Sequence, residues 1–142
     1  MRFQAVDHVM FGDTDVSGMG HFVHQIRFLE RAEYLFMEHV GVSPRAWFLE
    51  RYLFPRVKLE VAYTAPLAFA DAVRMDVQVG HLGRTSYSLA VDVVNLETAR
   101  TAMTSRLWIA VLDPASRRPV PVPDALREAF APYLANPSRD LE

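Results

Sequence analysis

The segment from Phe22 to Val40 predicts a helix whose apolar side is too broad to lie on a protein surface. Apolar residues recur there at steps of three, four and seven, and others widen the same side. They are Phe22, Ile26, Phe28, Leu29, Ala32, Leu35, Phe36 and Val40. Gly41 then stands where a left-handed residue commonly ends a helix. A chain with such a helix must supply a second element that encloses it.

Four segments after this helix show the alternation of half-buried strands. Their in-phase positions are Val57, Leu59, Val61 and Tyr63; Val73, Met75, Val77 and Val79; Tyr87, Leu89, Val91 and Val93; and Met103, Ser105, Leu107, Ile109 and Val111. Residues 2–11 predict a further strand before the helix. Short connections rich in turn residues favour antiparallel neighbours. We therefore expect an α+β fold in which a five-stranded antiparallel sheet wraps around the long central helix.

Two shorter helices are expected outside this framework. Ser43 and Pro44 supply an N-cap and a first-turn proline for a helix that runs to about Arg51. Residues 124–131 predict another helix near the C-terminus. The length of 142 residues fits one domain, which we expect to cover residues 1–142.

Charge and composition exclude several classes of function. The formal net charge is -2, and no run of lysine or arginine forms the positive stripe that nucleic acid requires. The absence of cysteine excludes disulfides, thiolate metal sites and a cysteine nucleophile. No apolar stretch approaches the ~20 residues that span a bilayer, and the N-terminus lacks the pattern of a signal peptide. We expect a cytoplasmic protein without nucleic-acid or membrane partners.

Residues 11–34 carry the pattern most suited to chemistry. Asp13 and Asp15 end the first strand, Gly18 and Gly20 allow a tight turn, and the helix begins at once. A helix N-terminus presents unpaired N–H groups that can polarise a carbonyl oxygen and hold an oxyanion. A carboxylate across the cleft can attack that carbonyl or activate water. We expect Asp15 to be this carboxylate and the amides of residues 20–22 to be the donors.

The same segment resembles the 4-hydroxybenzoyl-CoA thioesterase-like branch of the hotdog superfamily. Members carry an aromatic-x-Asp-x-Asp-x-x-Gly pattern, followed by a helix with a glutamate fifteen residues beyond the second aspartate. The matching residues are Phe11, Asp13, Thr14, Asp15, Gly18 and Glu30. The resemblance implies a hotdog acyl-CoA thioesterase for an aromatic or short- to medium-chain acyl group. It implies no metal, and no cofactor apart from the coenzyme A of the substrate.

The resemblance also implies roles for individual residues near the helix start. Asp15 would be the nucleophile or general base, and the backbone N–H of Phe22, seven residues on, would polarise the thioester carbonyl. Gly20 and His21 would bind the substrate, and many relatives carry a histidine or tyrosine at or just before the position of Phe22. The acyl pocket would be lined by residues such as Met19, His21, Phe22 and Phe54.

A second substrate contact is implied at the turn before the third alternating segment. Relatives often carry a basic residue followed by serine there, so Arg84 would meet a coenzyme A phosphate while Thr85 or Ser86 donates a hydrogen bond. An exposed arginine in a hairpin is as commonly only solvated. Both interpretations stay open at the level of sequence.

The expected sheet leaves edges and an outer face that a second copy of the chain could cover. Its outer face carries residues such as Trp108. Edge-to-edge pairing of two copies removes exposed strand edges. We expect a homodimer or a homotetramer.

Several polar residues also have purely structural interpretations. Asp13 fits a loop former that accepts backbone hydrogen bonds. His21 and His24 stand three residues apart, but a metal site would need a third strong ligand that the sequence does not identify. Otherwise His21 faces the acyl pocket, and His24 lies near a subunit contact or in solvent.

Two glutamates of the helix raise separate questions. Glu30 stands three residues after Arg27, a spacing that favours an ion pair. Glu33 falls on the apolar stripe, where a buried carboxylate would need a partner that the sequence does not name.

Two other functions fit the same fold. One is a hydratase or dehydratase acting on an acyl thioester, although the sequence lacks an Asp-x-Asn-Pro-x-His motif. The other is a non-catalytic acyl-CoA-binding module, whose ligand binding would survive Asp15→Asn. The pattern leaves open the acyl group, the choice between free coenzyme A and a carrier protein, and the choice between covalent and water-mediated attack.

Overall fold

The computed structural model describes residues 1–135, and residues 136–142 of the expected domain lie outside the described part. The strands are β1 (Phe3–His8), β2 (Arg56–Tyr63), β3 (Ala72–Leu82), β4 (Ser86–Asn95) and β5 (Arg100–Ala110). The helices are α1 (Arg27–His39), α2 (Pro44–Ala46) and α3 (Asp124–Phe130), with 3-10 turns at Phe11–Asp13, His24–Ile26 and Ala131–Tyr133. A short π-helix, Trp47–Arg51, follows α2. Within residues 1–135, no helix is both long enough and apolar enough to cross a membrane.

All five strands form one antiparallel sheet in the order β1-β3-β4-β5-β2. Val77 stands opposite Val91, and Leu89 stands opposite Leu107, so inward side chains of neighbouring strands lie side by side. Such cross-strand apolar pairs stabilise a sheet and fix its register. The predicted α+β architecture is confirmed, with β1 and β2 as the edge strands.

Helix α1 packs on the sheet, chiefly against β3, β4 and β1. Its fully buried side chains are Phe28, Ala32, Phe36 and Met37. Phe36 stacks on Phe130 of α3 with ring centroids 5.7 Å apart, which joins the C-terminal helix to the same core. Full burial of a phenylalanine contributes roughly 2–3 kcal/mol, so this face of α1 accounts for much of the stability of the core. The broad apolar side predicted for the helix is thereby enclosed.

Helix α1 begins later than the expected Phe22. The amide of Gly20 donates to the carbonyl of Leu67 at 2.8 Å, and the amide of His21 donates to the carbonyl of Asp13 at 2.7 Å. These bonds hold the chain in a loop, and the 3-10 turn His24–Ile26 then leads directly into α1. Apolar periodicity does not reveal backbone bonds to distant segments, which is why the predicted start is wrong.

The short helix after Gly41 and the C-terminal helix agree with their predictions. Ser43 caps α2 by accepting a hydrogen bond from the amide of Ala46, and Pro44 occupies the first turn. The predicted continuation of this helix to Arg51 is present, but it is a π-helix.

Strand β2 is exposed along almost its whole length. Among its residues only Val61 is half-buried, and Val57, Leu59 and Tyr63 are exposed apolar side chains. On one side the strand is paired with β5, and it ends the sheet on the other. An apolar edge strand left open in this way is a typical site of further strand pairing.

Candidate active site

Asp13 ties the loop that follows β1 to the first turn of α1. Its side chain is buried, and both carboxylate oxygens accept hydrogen bonds from Arg27 at 2.7 Å. The amide of Met10 donates to the same carboxylate at 2.9 Å. Burial alone would raise the pKa of Asp13, but the bonds from Arg27 and Met10 outweigh it, so the pKa is lowered. This bidentate pair fixes the loop against the helix.

Asp15 is exposed, two residues beyond this anchor. Its carboxylate accepts hydrogen bonds from the hydroxyl and the amide of Ser17, and these bonds lower its pKa. Its amide donates to the carbonyl of Met19 at 2.9 Å, and Gly18 makes the turn possible with a φ of 80°. Asp15 is therefore ionised at neutral pH, in the form that a nucleophile or general base requires.

The amides at the start of the helical segment have different acceptors. Those of Gly20 and His21 are engaged by Leu67 and Asp13, so the predicted set of donors at residues 20–22 is corrected. Among the described residues, no acceptor pairs with the amide of Phe22. Phe22 stands just before Val23, the N-cap of the 3-10 turn that leads into α1. Of the three predicted donors, Phe22 is thus the one whose amide is unpaired in residues 1–135.

Gly20 has a packing role that its position in the motif did not reveal. A Cβ on this residue would stand 2.3 Å from Nε2 of Gln25, whose side chain is buried beneath the loop. The backbone of Gly20 forms a bridge with Thr14. The absence of a side chain therefore lets the helix start pack close to the Asp15 loop.

The two histidines lie together beside the helix start. The rings of His21 and His24 are 4.4 Å apart, and Nδ1 of His21 accepts a hydrogen bond from the amide of Val23. The charge of His21 is a minor cause of the lowered pKa of Asp15, after the bonds from Ser17 and the opposing effect of burial. His21 consequently belongs to the electrostatic surroundings of Asp15, and its contact with a substrate stays a prediction.

The surface around Asp15 is unusually apolar. Its exposed apolar side chains are Phe11, Val16, Met19, Phe22, Val23 and Phe69. The rings of Phe11 and Phe69 stack at 4.1 Å, and the amide of Phe69 donates to the carbonyl of Gly18. Contiguous apolar surface of this kind is typical of a site that a ligand or another protein covers.

Two cavities open beside the helix start. A groove of about 1090 Å³ begins at Val23 and His24 and runs between α1 and β2 to Tyr34, and we call it the α1–β2 groove. A smaller cavity of about 500 Å³ lies in front of Phe22 and is lined by Met19, Gly20 and Tyr63, among others. Of the residues predicted for the acyl pocket, Met19 and Phe22 line the smaller cavity, His21 lines neither of these two cavities, and Phe54 is buried in the core. The two cavities lie on neighbouring residues, since Phe22 lines the smaller one and Val23 lines the groove.

The α1–β2 groove contains both glutamates that the sequence left without a role. Glu33 is buried and pairs with Arg56 of β2, a partner that the sequence did not identify. Glu30 is exposed and lines the groove. Arg27 is bound to Asp13 and Asp7, and no ion pair between Arg27 and Glu30 occurs in residues 1–135. The predicted Arg27–Glu30 pair is therefore wrong, because the Asp13 loop takes the guanidinium.

The β3–β4 turn lies far from Asp15 within one chain. The Asp15 loop is bonded near the start of β3, through Leu67 and Asp71, whereas Arg84, Thr85 and Ser86 follow its end. At ~3.3 Å per residue, the length of β3 separates the two regions by roughly 30 Å. The turn is bound to the C-terminal segment, since Arg127 donates to the carbonyls of residues 83 and 84. One chain does not bring the two predicted parts of the site together.

Comparison with known proteins identifies the class of protein to which this fold and the Asp15 loop belong. The sequence profile of the thioesterase-like superfamily matches residues 9–130, and the chain belongs to this superfamily. Solved structures agree with this assignment at the level of fold. A 1,4-dihydroxy-2-naphthoyl-CoA thioesterase from Synechocystis superposes with a TM-score of 0.84, 15% identity and coverage of 92% of this chain and 96% of that one. The dynemicin thioesterase gives a TM-score of 0.86, 18% identity and coverage of 96% and 99%.

Individual relatives of this chain include proteins with a named hydrolase activity. The chain is 27% identical to the acyl-CoA thioester hydrolase YbgC of Escherichia coli over 122 residues, which cover 86% of this chain and 90% of that protein. It is 27% identical to the 1,4-dihydroxy-2-naphthoyl-CoA hydrolase of Synechococcus elongatus over 130 residues, with 89% and 92% covered. Acyl-CoA thioester hydrolases are thus its homologues over most of its length. The predicted hotdog fold, family and enzyme class are confirmed.

Proposed function

We propose that the protein hydrolyses an acyl-CoA thioester to the free acid and coenzyme A, with Asp15 as the catalytic carboxylate and the Phe22 amide as the carbonyl donor. One observation carries the proposal. The ionised carboxylate of Asp15 and the unpaired amide of Phe22 lie on segments that Asp13 joins directly, through its side chain to Arg27 and through its carbonyl to His21. In the proposed reaction, the nucleophile and the oxyanion donor act on one carbonyl group from these two joined segments.

The proposed hydrolysis can follow either of two mechanisms. In the covalent route the Asp15 carboxylate adds to the carbonyl carbon, the C–S bond breaks, and coenzyme A leaves as a thiolate that takes a proton from solvent. Water then cleaves the mixed anhydride and restores the carboxylate. In the water-mediated route Asp15 removes a proton from a water molecule that attacks the same carbon, and the thiolate leaves with that proton. In both routes the Phe22 amide stabilises the oxyanion.

The substrate extends in two directions from the Phe22 amide. The α1–β2 groove and the smaller cavity are both apolar enough for an aromatic or medium aliphatic acyl group. Named relatives act on 1,4-dihydroxy-2-naphthoyl-CoA, which supports an acyl group of this size. Coenzyme A is part of the substrate, and the proposed steps use only groups of the chain and water.

A homodimer completes the proposed site. A two-fold axis through the open edge of β2 pairs the strand with its copy in antiparallel fashion, so the Tyr63 end of one copy meets the Arg56 end of the other. Arg56 and Tyr87 both pair with Ile109 of β5, so the β3–β4 turn lies at the Arg56 end of the sheet. Pairing therefore carries Arg84, Thr85 and Ser86 of the second copy toward Asp15 of the first, where Arg84 can meet a coenzyme A phosphate. Two such dimers would form the alternative homotetramer.

The test is thiol release from a panel of aromatic, branched and straight-chain acyl-CoA esters. We expect turnover of at least one ester, with kcat/KM reduced ~100-fold or more in Asp15→Asn and Asp15→Ala. Asp113→Asn is a matched control, because Asp113 is a half-buried carboxylate whose pKa is likewise lowered by bonds from a nearby serine. Its activity should equal that of the wild type.

Other outcomes point to other functions. Ester binding without turnover in the wild type or in Asp15→Asn would indicate an acyl-CoA-binding module. Conversion of an unsaturated acyl-CoA without thiol release would indicate a hydratase. Turnover that ignores Asp15 would contradict the assigned carboxylate while leaving the enzyme class in place.

A further inference from the structure

The turn that carries Asp15 is joined to the sheet by residues 67–71, which precede β3 and which we call the 67–71 segment. Two backbone hydrogen bonds, of 2.8 and 3.0 Å, connect this segment with the turn. They run from the amide of Gly20 to the carbonyl of Leu67 and from the amide of Phe69 to the carbonyl of Gly18. The Asp15 amide donates in turn to Met19. The backbone of Asp15 is therefore linked to the 67–71 segment through one intervening stretch, residues 18–20.

Two side chains that the proposed hydrolysis does not use fix the 67–71 segment. Oδ2 of Asp71 accepts one hydrogen bond from the amide of Ala68 and another from Nδ2 of Asn95, both at 2.9 Å. The first bond closes the segment on itself, and the second ties it to the end of β4. We call Asp71 and Asn95 together the Asp71–Asn95 clamp. The clamp thus connects the interior of the sheet with the segment that supports the Asp15 turn.

Asn95 is the inner half of the clamp, and its side chain is only 1% exposed. Besides the bond to Asp71, its Nδ2 donates to the carbonyl of Pro66 at 3.4 Å, and its Oδ1 accepts from the amide of Glu97 at 2.9 Å. A buried carboxamide is costly unless its polar atoms are bonded, and here both are. None of these partners belongs to β2, so the clamp does not depend on how two copies of the chain meet.

The backbone of the 67–71 segment is held in a conformation that its own residues disfavour. Ala70 has a φ of 72°, in the left-handed region where a Cβ is crowded. Its amide donates to the carbonyl of Val9 at 2.9 Å, and the amide of Val9 donates to the carbonyl of Asp71 at the same distance. Strained backbone of this kind persists where the surrounding contacts over-determine it. Loss of a clamp contact should therefore let the segment relax and shift.

We propose that the Asp71–Asn95 clamp positions Asp15 for catalysis from the sheet side of the loop. The proposal rests on the proposed thioesterase function. Asp13 holds the start of the same loop to helix α1 through Arg27, and the clamp holds its end through residues 18–20. The loop that carries Asp15 thus has an anchor on each side. Release of the second anchor displaces the carboxylate from the reacting carbonyl, and such displacement lowers the rate of the chemical step.

The test is Asn95→Asp, which keeps the size of the side chain and the acceptor for the Glu97 amide but removes the donor to Asp71. Burial and the charges of Asp71 and Glu97 raise the pKa of the introduced carboxyl, while Arg100, opposite on β5, acts against this rise. Once protonated, the carboxyl is a donor again. At pH 8 we expect kcat to be ~10-fold or more below that of the wild type, with little change in KM.

The pH profile separates positioning from a general loss of stability. The kcat deficit of Asn95→Asp relative to the wild type should shrink as the pH falls from 8 to 5, because protonation restores the bond to Asp71. Asp15 stays ionised over this range, since its pKa lies below 3.8. Ser105→Ala is the control, because Ser105 is also buried in the sheet and donates one hydrogen bond, to the carbonyl of Val91 at 2.8 Å. Its kcat should equal that of the wild type at both pH values, even if its melting temperature is lower.

The possible results separate the clamp from the proposed function. An unchanged kcat in Asn95→Asp at pH 8, or a deficit that is equal at both pH values, overturns the positioning role and leaves the hydrolase intact. If Asn95→Asp does not fold at pH 8, Asp71→Ala decides, because it removes the acceptor from a half-buried position and should lower kcat as much. If the wild type cleaves no ester, the proposed function fails, and hydrogen exchange tests the clamp. The amides of Gly20 and Phe69 should then exchange ~10-fold faster in Asn95→Asp than in the wild type, and equal exchange would overturn the clamp.

Discussion

Asp15 and Asp113 show why hydrogen bonding alone does not identify a catalytic residue. Both carboxylates accept bonds from a serine a few residues later, and both have a lowered pKa for that reason. Of the two, Asp15 belongs to the loop that Asp13 joins to the segment of the unpaired Phe22 amide, and exposed apolar side chains such as Val16 and Met19 neighbour it in that loop. The location of the carboxylate, and not its protonation state, therefore distinguishes the two.

The bonds from Ser17 give a prediction for the pH dependence of catalysis. They favour the ionised form of Asp15 and hold its pKa below the ordinary 3.8, so Ser17→Ala should raise it. Asp15 is inactive when protonated, and the acidic limb of the kcat/KM profile should accordingly move to higher pH. Ser116→Ala removes the corresponding partner of Asp113 and should leave the limb unmoved. If the acidic limb of the kcat/KM profile does not move in Ser17→Ala, a group other than Asp15 titrates there.

Sequence reasoning found some of the proposed site residues and missed other contacts for a physical reason. Asp15 and Phe22 belong to a short local pattern, so their spacing along the chain was sufficient to propose them. Arg56 is separated from Glu33 by 23 positions, and only the packing of β2 beside α1 brings the two together. No local signal pairs them. The Glu33–Arg56 pair was therefore beyond prediction, although the isolated Glu33 on an apolar stripe indicated that a partner existed.

At the scale of elements, the Asp13–Arg27 pair controls how the β1–α1 loop meets the helix. Asp13 is 2% exposed, and it is bound to the helix by its side chain and to the His21 amide by its carbonyl. The positions of Asp15 and Phe22 both depend on this anchor. In the proposed reaction Asp13 is thus a positioning residue, which acts through its neighbours.

Asp13→Asn should lower kcat by ~10-fold or more while changing KM little, because misplacement of reacting groups costs catalysis more than binding. Steady-state kinetics with the best ester, together with a thermal melt, measure this. Arg31→Gln is the control, since Arg31 lies on the same helix and pairs with Asp7 instead. A parallel loss of kcat and melting temperature in both variants would indicate general destabilisation. An unchanged kcat in Asp13→Asn would contradict the positioning role.

Helices and strands with a regular hydrophobic period were predictable from the sequence. The residues at which they begin and end were harder to predict. Alternation locates β3, for example, because its buried and exposed faces differ, as Val73, Met75 and Val77 show. Strand β2 keeps the same alternation in sequence, although nearly all of its side chains are exposed in a single chain. The start of α1 depends instead on where the amides of Gly20 and His21 find acceptors, and those acceptors come from other segments. Element boundaries set by tertiary bonds do not appear in a local pattern.

For the whole molecule, the exposed edge of β2 gives a prediction about assembly. If β2 pairs with its copy, Leu59 lies near the two-fold axis, and Leu59→Glu brings two carboxylates face to face. We expect this variant to have half the mass of the wild type in sedimentation at equal concentration. Leu96→Glu places the same charge on a side chain of equal exposure, 41%, in the β4–β5 turn. The mass of Leu96→Glu should equal that of the wild type. If Leu59→Glu also keeps the mass of the wild type, the copies meet at a surface other than β2.

The fold as a whole was predictable because few arrangements of five strands enclose a helix as apolar as α1. The site was predictable only in part, since Asp15 and Arg84 lie near opposite ends of strand β3. A single sequence does not state how two copies meet. The relation between these two regions is therefore a property of the proposed assembly and not of the chain alone.

Strand β2 has a further consequence for the choice of substrate. One wall of the α1–β2 groove is helix α1, whose opposite side is fixed in the core, and the other wall is strand β2, which has one neighbour within a single chain. Parts of a protein with few packed contacts open at a lower free energy than its core. A single chain is therefore free to widen the groove by outward movement of β2, and pairing of β2 with its copy in the proposed homodimer removes this freedom. Assembly would then limit the bulk of the acyl group that the groove accepts.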